Sequence, residues 1–224
     1  MLMYTTDIIN TSGEDLKLTF LGHGTLMLTF GSTVIHVDPV SDLADYANLP
    51  KADIILVTHD HFDHFEPQTI EMLRKDGTAV VGAESCTQKI NNCLAMKNGD
   101  VKTIQGLTIE AIPAYNTIHM RSPGNPFHPR GVGNGYVITF SDKKVYIAGD
   151  TENIPEMKEL TGIDVAFLPM NLPYTMTPEM VADAARAFRP KVLYPYHFGD
   201  TDTSKLTDLL KDCTDIEVRI RDMQ

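Results

Sequence analysis

The sequence predicts an α+β protein in which mixed β-sheets are covered by helices. Short apolar runs rich in β-branched residues recur along the whole chain, each bounded by Gly, Pro, Asp or Asn as strands usually are. The early runs follow one another directly, as in an antiparallel meander, whereas later ones alternate with helical segments. At 42% hydrophobic and 22% charged residues, the chain also has enough apolar surface to build a core, which excludes disordered and fibrous readings.

Strands are expected over residues 17–21, 26–30 and 33–37, then 53–58, 78–81, 107–113, 136–140, 143–148, 164–168, 191–195 and 217–220. A helix over 67–74 follows Glu66, with Ile70 and Leu73 on one face. Another over 178–188 starts from Thr177 as N-cap with Pro178 in its first turn, and carries Val181, Ala184, Ala185 and Phe188 at helical spacing. A third over 204–211 takes Ser204 as cap. Linkers, low-complexity segments and solenoid periods are absent, so one domain over 1–224 is expected. A weak internal echo is present: Val34-Ile35-His36-Val37-Asp38 and Val145-Tyr146-Ile147-Ala148-Gly149-Asp150 both run a buried strand into an Asp.

The 19 Lys+Arg against 30 Asp+Glu leave a formal charge of −11. With no basic run to override that field, nucleic acid and anionic membranes are not expected partners. Cys86, Cys93 and Cys213 form an odd set, which fits a reduced intracellular chain. If Cys86 and Cys93 share a helix they lie two turns apart, about 10 Å, too far to bridge. Residues 1–10 lack a basic region followed by an apolar stretch, and no apolar run approaches the ~20 residues of a membrane span. A cytoplasmic protein acting on a small molecule is expected, with homo-oligomerisation left open.

The informative segment is Thr58-His59-Asp60-His61-Phe62-Asp63-His64, which follows the apolar run Ile54-Ile55-Leu56-Val57. Three of the chain's eight His fall in this one hexapeptide, at a strand end where function concentrates. His59 and His61 can turn imidazole nitrogens to one ion, while Asp63 and His64 are set to hold a second. Neutral imidazole and carboxylate suit zinc, and equally iron or manganese. Further ligands must come from distant segments: Asp150, after Gly149, is the natural bridging carboxylate, and His197, ending Leu193-Tyr194-Pro195-Tyr196-His197, the natural remote imidazole.

The order H-x-H-x-D-H, then Gly149-Asp150-Thr151, then a late His after an apolar strand resembles the metallo-β-lactamase superfamily, from about Leu16 to His197 and beyond. Leu21-Gly22-His23-Gly24, Val37-Asp38-Pro39, Pro113-Ala114-Tyr115-Asn116 and Tyr174-Thr175-Met176-Thr177-Pro178-Glu179 look like its branch of small metal-dependent hydrolases, which includes the ascorbate-6-phosphate lactonase type. The resemblance implies a four-layer αββα sandwich of two mixed sheets with a two-metal site at one edge. It implies that His59 and His61 bind the first metal, that Asp63, His64 and His197 bind the second, and that Asp150 bridges. The family's remaining first-metal His matches Asn116 here. His128 is favoured in its place, in the stiff loop Asn125-Pro126-Phe127-His128-Pro129, with Asn116 or His119 as alternatives.

Two divalent ions, zinc foremost and manganese or iron as alternatives, would supply a metal-bound hydroxide at neutral pH. Asp63 would orient it or relay its proton, and no nucleophile-elbow pattern competes. Asp38 is placed to accept the other ring N–H of a ligating His, or to cap the turn into Pro39. His23 faces the site or is structural. Arg121 and Arg130 can fork onto a phosphate or carboxylate, and Tyr174 can offer a hydroxyl. The expected function is metal-dependent hydrolysis of a small anionic ester, lactone or phosphodiester. The alternatives are an iron-loaded redox enzyme of the same fold and a non-catalytic metal-binding homologue.

Overall fold

The computed structural model describes residues 4–224. Residues 1–3, part of the stretch searched for a leader and of the domain expected over 1–224, lie outside this range. The first sheet runs in sequence order: β1 (Thr6–Ile9), β2 (Leu16–Gly22), β3 (Thr25–Phe30), β4 (Thr33–Val37), β5 (Ile54–Val57), β6 (Ala79–Gly82) and β7 (Cys93–Ala95). The second comprises β8 (Val101–Ile104), β9 (Leu107–Ala114), β12 (Gly133–Phe140), β13 (Lys143–Ile147), β14 (Val165–Pro169), β15 (Val192–Tyr196) and β16 (Glu217–Val218). Between β9 and β12 lies a small hairpin of β10 (Met120–Ser122) and β11 (Asn125–Pro126).

The two sheets share one plan. In each, the first four strands pair antiparallel and the last three continue in parallel. Asp38 and Asp150 both follow the fourth strand of their sheet, so the echo read in the sequence corresponds to equivalent positions in the two sheets.

Alternation along the strands builds the layers. In β5, Ile54 and Leu56 enter the main core between the sheets, while Ile55 and Val57 belong to a second cluster with Ile70 and Leu73 of α1 (Pro67–Leu73). In β13, Val145 and Ile147 face inward, and Tyr146 turns out to meet Phe188 edge-on at 6.1 Å. Phe188 closes α4 (Pro178–Phe188), whose start is fixed by Thr177 Oγ1 accepting from the Met180 N–H at 3.2 Å. The result is two mixed sheets face to face with helices outside, the α+β sandwich expected. Each fully buried aliphatic side chain contributes about 1.5–3 kcal/mol to it.

The remaining helices are α2 (Glu84–Thr87), α3 (Pro155–Lys158) and α5 (Ser204–Leu210). One reading is corrected: Thr203, not Ser204, is the N-cap of α5, and the Ser204 hydroxyl donates to Asp202 Oδ1 at 2.7 Å. The condition that Cys86 and Cys93 share a helix is not met, since α2 ends at Thr87 and Cys93 opens β7. All three cysteines are free. Among the described residues, no helix is long and apolar enough to cross a membrane.

Candidate metal centre

Parallel pairing among β4 and β5, and among β13, β14 and β15, brings the C-terminal ends of these strands to one edge of the sandwich. The polar residues that follow them are Asp38, the 59–64 segment, Asp150 and His197. Several sit on unusual backbone. Asp38 has φ 45°, His197 φ 46° and His23 φ 51°, left-handed values that a side chain adopts at some cost and that concentrate at functional sites. Gly149 has φ 65°, and a Cβ there would lie 2.8 Å from the Asn134 carbonyl oxygen, so only glycine lets this turn deliver Asp150.

Donor atoms converge in three overlapping groups, each within 4.8 Å: His59, His61 and His128; His59, His64 and Asp150; His23, Asp63, His64 and His197. Asp150 sits between them. Its Oδ2 lies 3.2 Å from His128 Nε2, 3.4 Å from His197 Nε2 and 4.0 Å from His59 Nε2, and its Oδ1 lies 3.4 Å from His64 Nε2. Asp63 Oδ2 lies 3.7 Å from His197 Nε2 and 4.0 Å from His64 Nε2. His59 Nε2, His64 Nε2, His197 Nε2 and Asp150 Oδ1 are buried without any hydrogen-bond partner. An unsatisfied buried polar atom costs about 1–3 kcal/mol, and four of them facing one another fit the coordination of cations by a nitrogen and carboxylate donor set.

At His59, His64 and His128 the opposite ring nitrogen is held so that Nε2 is left free for a ligand. His64 Nδ1 donates to Asp38 Oδ2 at 2.8 Å, and Asp38 also accepts from the Thr58 N–H at 2.7 Å and the Thr58 hydroxyl at 2.6 Å. With its only proton given to Asp38, the Thr58 oxygen accepts from His59 Nδ1 at 3.0 Å. His128 Nδ1 donates to Asn116 Oδ1 at 2.8 Å. Such contacts fix the tautomer and aim of a ligating imidazole. The Asn171 amide nitrogen, 3.3 Å from His197 Nδ1, orients that ring.

Without a cation the carboxylates hold protons on their neighbours. Burial works against a charged His197, but the Asp150 and Asp63 carboxylates push it up to about 10. Burial opposes charge on His64 likewise, and Asp150 and Asp38 raise it. His59 is held well below its ordinary value by burial and by the His64 charge. Burial would raise Asp150, yet the charges of His197 and His64 keep it well below the usual carboxylate range. For Asp63, the nearby His197 and His23 rings likewise overcome burial and hold the carboxyl far down.

The structure therefore brings His59, His61, Asp63, His64, Asp150, His197 and His128 together. His23 joins them, 3.3 Å from Asp63 Oδ2 with its ring 3.7 Å from that of His197. The alternatives to His128 are drawn elsewhere. Asn116 supports His128, and His119 Nδ1 lies 2.9 Å from both Glu152 Oε1 and the Thr175 carbonyl oxygen. Arg121 and Tyr174 line a cleft of about 520 Å³ over the cluster. Arg130 does not reach it: its guanidinium stacks 5.1 Å from the Tyr115 ring and pairs with Glu156 at 2.6 Å. Sequence reasoning missed Thr58, Asn171 and Glu152. The fully buried Glu152 carboxylate accepts from the N–H groups of Thr117, Ile118 and His119 at 2.6–2.7 Å and from the Asn116 amide at 3.1 Å. Its position directly after Asp150-Thr151 was the available signal.

A family model described as a beta-lactamase superfamily domain matches residues 17–197, from β2 to the last of the converging histidines. The chain belongs to the metallo-β-lactamase superfamily. Within it, the UPF0173 metal-dependent hydrolase of Koribacter versatilis is 32% identical over 201 residues, 83% of this chain and 85% of that protein. This superfamily member thus belongs to the UPF0173 metal-dependent hydrolases. It is also similar to the crystal structure of a Parabacteroides distasonis protein classed among metal-dependent hydrolases, with a TM-score of 0.94 and 51% identity over 99% of this chain and 100% of that one. A metallo hydrolase from Ignicoccus hospitalis matches at a TM-score of 0.76 and 27% identity, over 92% of this chain and 95% of that one.

Proposed function

We propose that this protein is a cytoplasmic, single-domain hydrolase with two divalent ions, zinc foremost, that cleaves a small anionic ester, lactone or phosphodiester. A phosphorylated lactone of the kind cleaved by ascorbate-6-phosphate lactonases falls in this class. The observation that carries the reading is the set of orphaned nitrogens of His59, His64 and His197 turned toward the Asp150 carboxylate. His59, His61 and His128 would hold one ion, Asp63, His64 and His197 the other, with Asp150 shared.

Ions held there would supply Lewis acidity, lowering the pKa of a water and polarising the scissile group. The protein's own part is positioning. Asp63, its side chain 31% exposed, presents its carboxylate to the cleft, where it would orient the attacking water and take its proton. Arg121 sits 5.4 Å from the Phe127 ring centre, which keeps its guanidinium at the cleft wall where it can fork onto a phosphate or carboxylate. Tyr174, edge-on to Phe127 at 5.0 Å, offers its hydroxyl beside it.

The test is a screen of phosphodiesters and lactones with protein purified without added metal and analysed for metal content. Turnover that chelation and Asp63→Ala both abolish supports the reading. Persistent inactivity at full metal occupancy overturns it in favour of a binding protein, and a coloured, iron-loaded sample favours redox chemistry.

A further inference from the structure

Two cavities meet at the centre, and their chemistry differs. The Arg121 cleft shares Phe62 and Asp63 with a second cavity of about 560 Å³ on the other side of those residues. The walls of the second are largely apolar, built by Val40, Leu43, Phe65 and Pro67. Among its lining residues there is no Lys or Arg, while Asp42 and Glu66 add two carboxylates to that of Asp63. Glu66 is fixed in the wall: the Ser41 N–H and hydroxyl donate to it at 2.6 and 2.9 Å, and the Thr69 hydroxyl does so as well. With these carboxylates and no Lys or Arg in its lining, the chamber disfavours phosphate or carboxylate. An alkyl or aryl group entering it loses water without opposing charge.

We propose that the Leu43 and Phe65 chamber binds an uncharged, apolar part of the substrate. The substrate is then an asymmetric ester, with its scissile group over the centre, an anionic end toward Arg121 and an apolar alcohol portion against Leu43 and Phe65. This rests on the hydrolase reading above. It adds a specificity that the Arg121 cleft alone does not confer.

The experiment is isothermal titration of the metal-loaded protein with methylphosphonate and butylphosphonate, which bind without being turned over. Burial of one methylene is worth roughly fourfold in affinity. Butylphosphonate is therefore expected to bind at least about tenfold more tightly. Leu43→Arg, and Val40→Lys as an independent change on the same wall, should each cut that ratio below about threefold, whereas Tyr174→Ala should leave it in place. Equal affinities for the two phosphonates overturn the inference. So does a ratio lost in Tyr174→Ala but kept in Leu43→Arg, which would put the tail in the Arg121 cleft. If neither phosphonate binds, the reading of the centre as a site for anionic substrates fails, and the inference with it.

Discussion

Asn116 Oδ1 accepts both the backbone N–H and the Nδ1–H of His128, each at 2.8 Å. One amide oxygen thereby fixes the depth of the ring in its loop and the tautomer that leaves Nε2 free, 3.2 Å from Asp150. Removing such an outer contact typically costs 10–100-fold in metal affinity. Asn116→Ala should weaken one of two titrated zinc equivalents by about that factor. Competition with a calibrated chelator measures it, and an unchanged affinity would deny Asn116 this role.

Gly24 bears on the other ion. A Cβ at this position would lie 2.7 Å from His64 Cε1, shorter than real contacts, and a tight 3.1 Å from its Nδ1. Gly24→Ala must displace His64 from Asp38, at a cost of about 1–3 kcal/mol. The expected result is a lowered unfolding midpoint and roughly one bound ion in place of two. Elemental analysis of dialysed protein gives the stoichiometry.

Cation binding should release protons. The carboxylates around His64 and His197 raise both, and each must present a bare Nε2 to become a ligand. Affinity therefore falls as the pH is lowered. Titrations in buffers of different ionisation enthalpy should report net proton release at neutral pH. Chelation should in turn lower the melting temperature, since a ligand bound only to the native state stabilises it by mass action.

His36 gives the fold its own acid sensitivity. It is fully buried on β4, its Nε2 lies 3.0 Å from the Pro50 carbonyl oxygen, and burial pushes it down to about 4. The unfolded chain takes up this proton below about pH 6.5, the folded chain only below about 4, so stability is lost as pH falls through that window. From pH 7 to pH 5 the wild type should lose about 2 kcal/mol more than His36→Gln, read by urea unfolding of chelated protein.

The two arginines near the site should separate. Arg121→Ala is expected to raise KM for an anionic substrate about tenfold or more, the loss of one charge-assisted contact. Arg130→Ala should leave KM unchanged, because Arg130 serves the exposed pair with Glu156. Equal effects from both would place the substrate outside the cleft.

Much of the sandwich was legible because its strands are long, apolar and punctuated. The strands missed, β1, β7, β8, β10 and β11, are two to four residues long, and β1, β7 and β8 are edge strands whose side chains, Ile104 apart, are exposed or half-buried. Pattern fades where burial does. The 59–64 cluster announces itself by local density, and Asp150 and His197 by their places after buried strands. His128 does not, since Glu152 and Asn116 position it through a three-dimensional relay with no local spacing. Arg130 misled because nearness in sequence hid Glu156, 26 residues on, as its partner.

The donor atoms are divided between the two sheets. Four of them, His59 to His64, follow β5 of the first sheet, while His128, Asp150 and His197 hang from the second. A growing polypeptide thus carries half a binding site long before it carries the rest, and must extend past His197 and close its layers before an ion is gripped from both sides. Loading is in consequence a late event in maturation, and the ion, once seated, acts as a rivet between the halves.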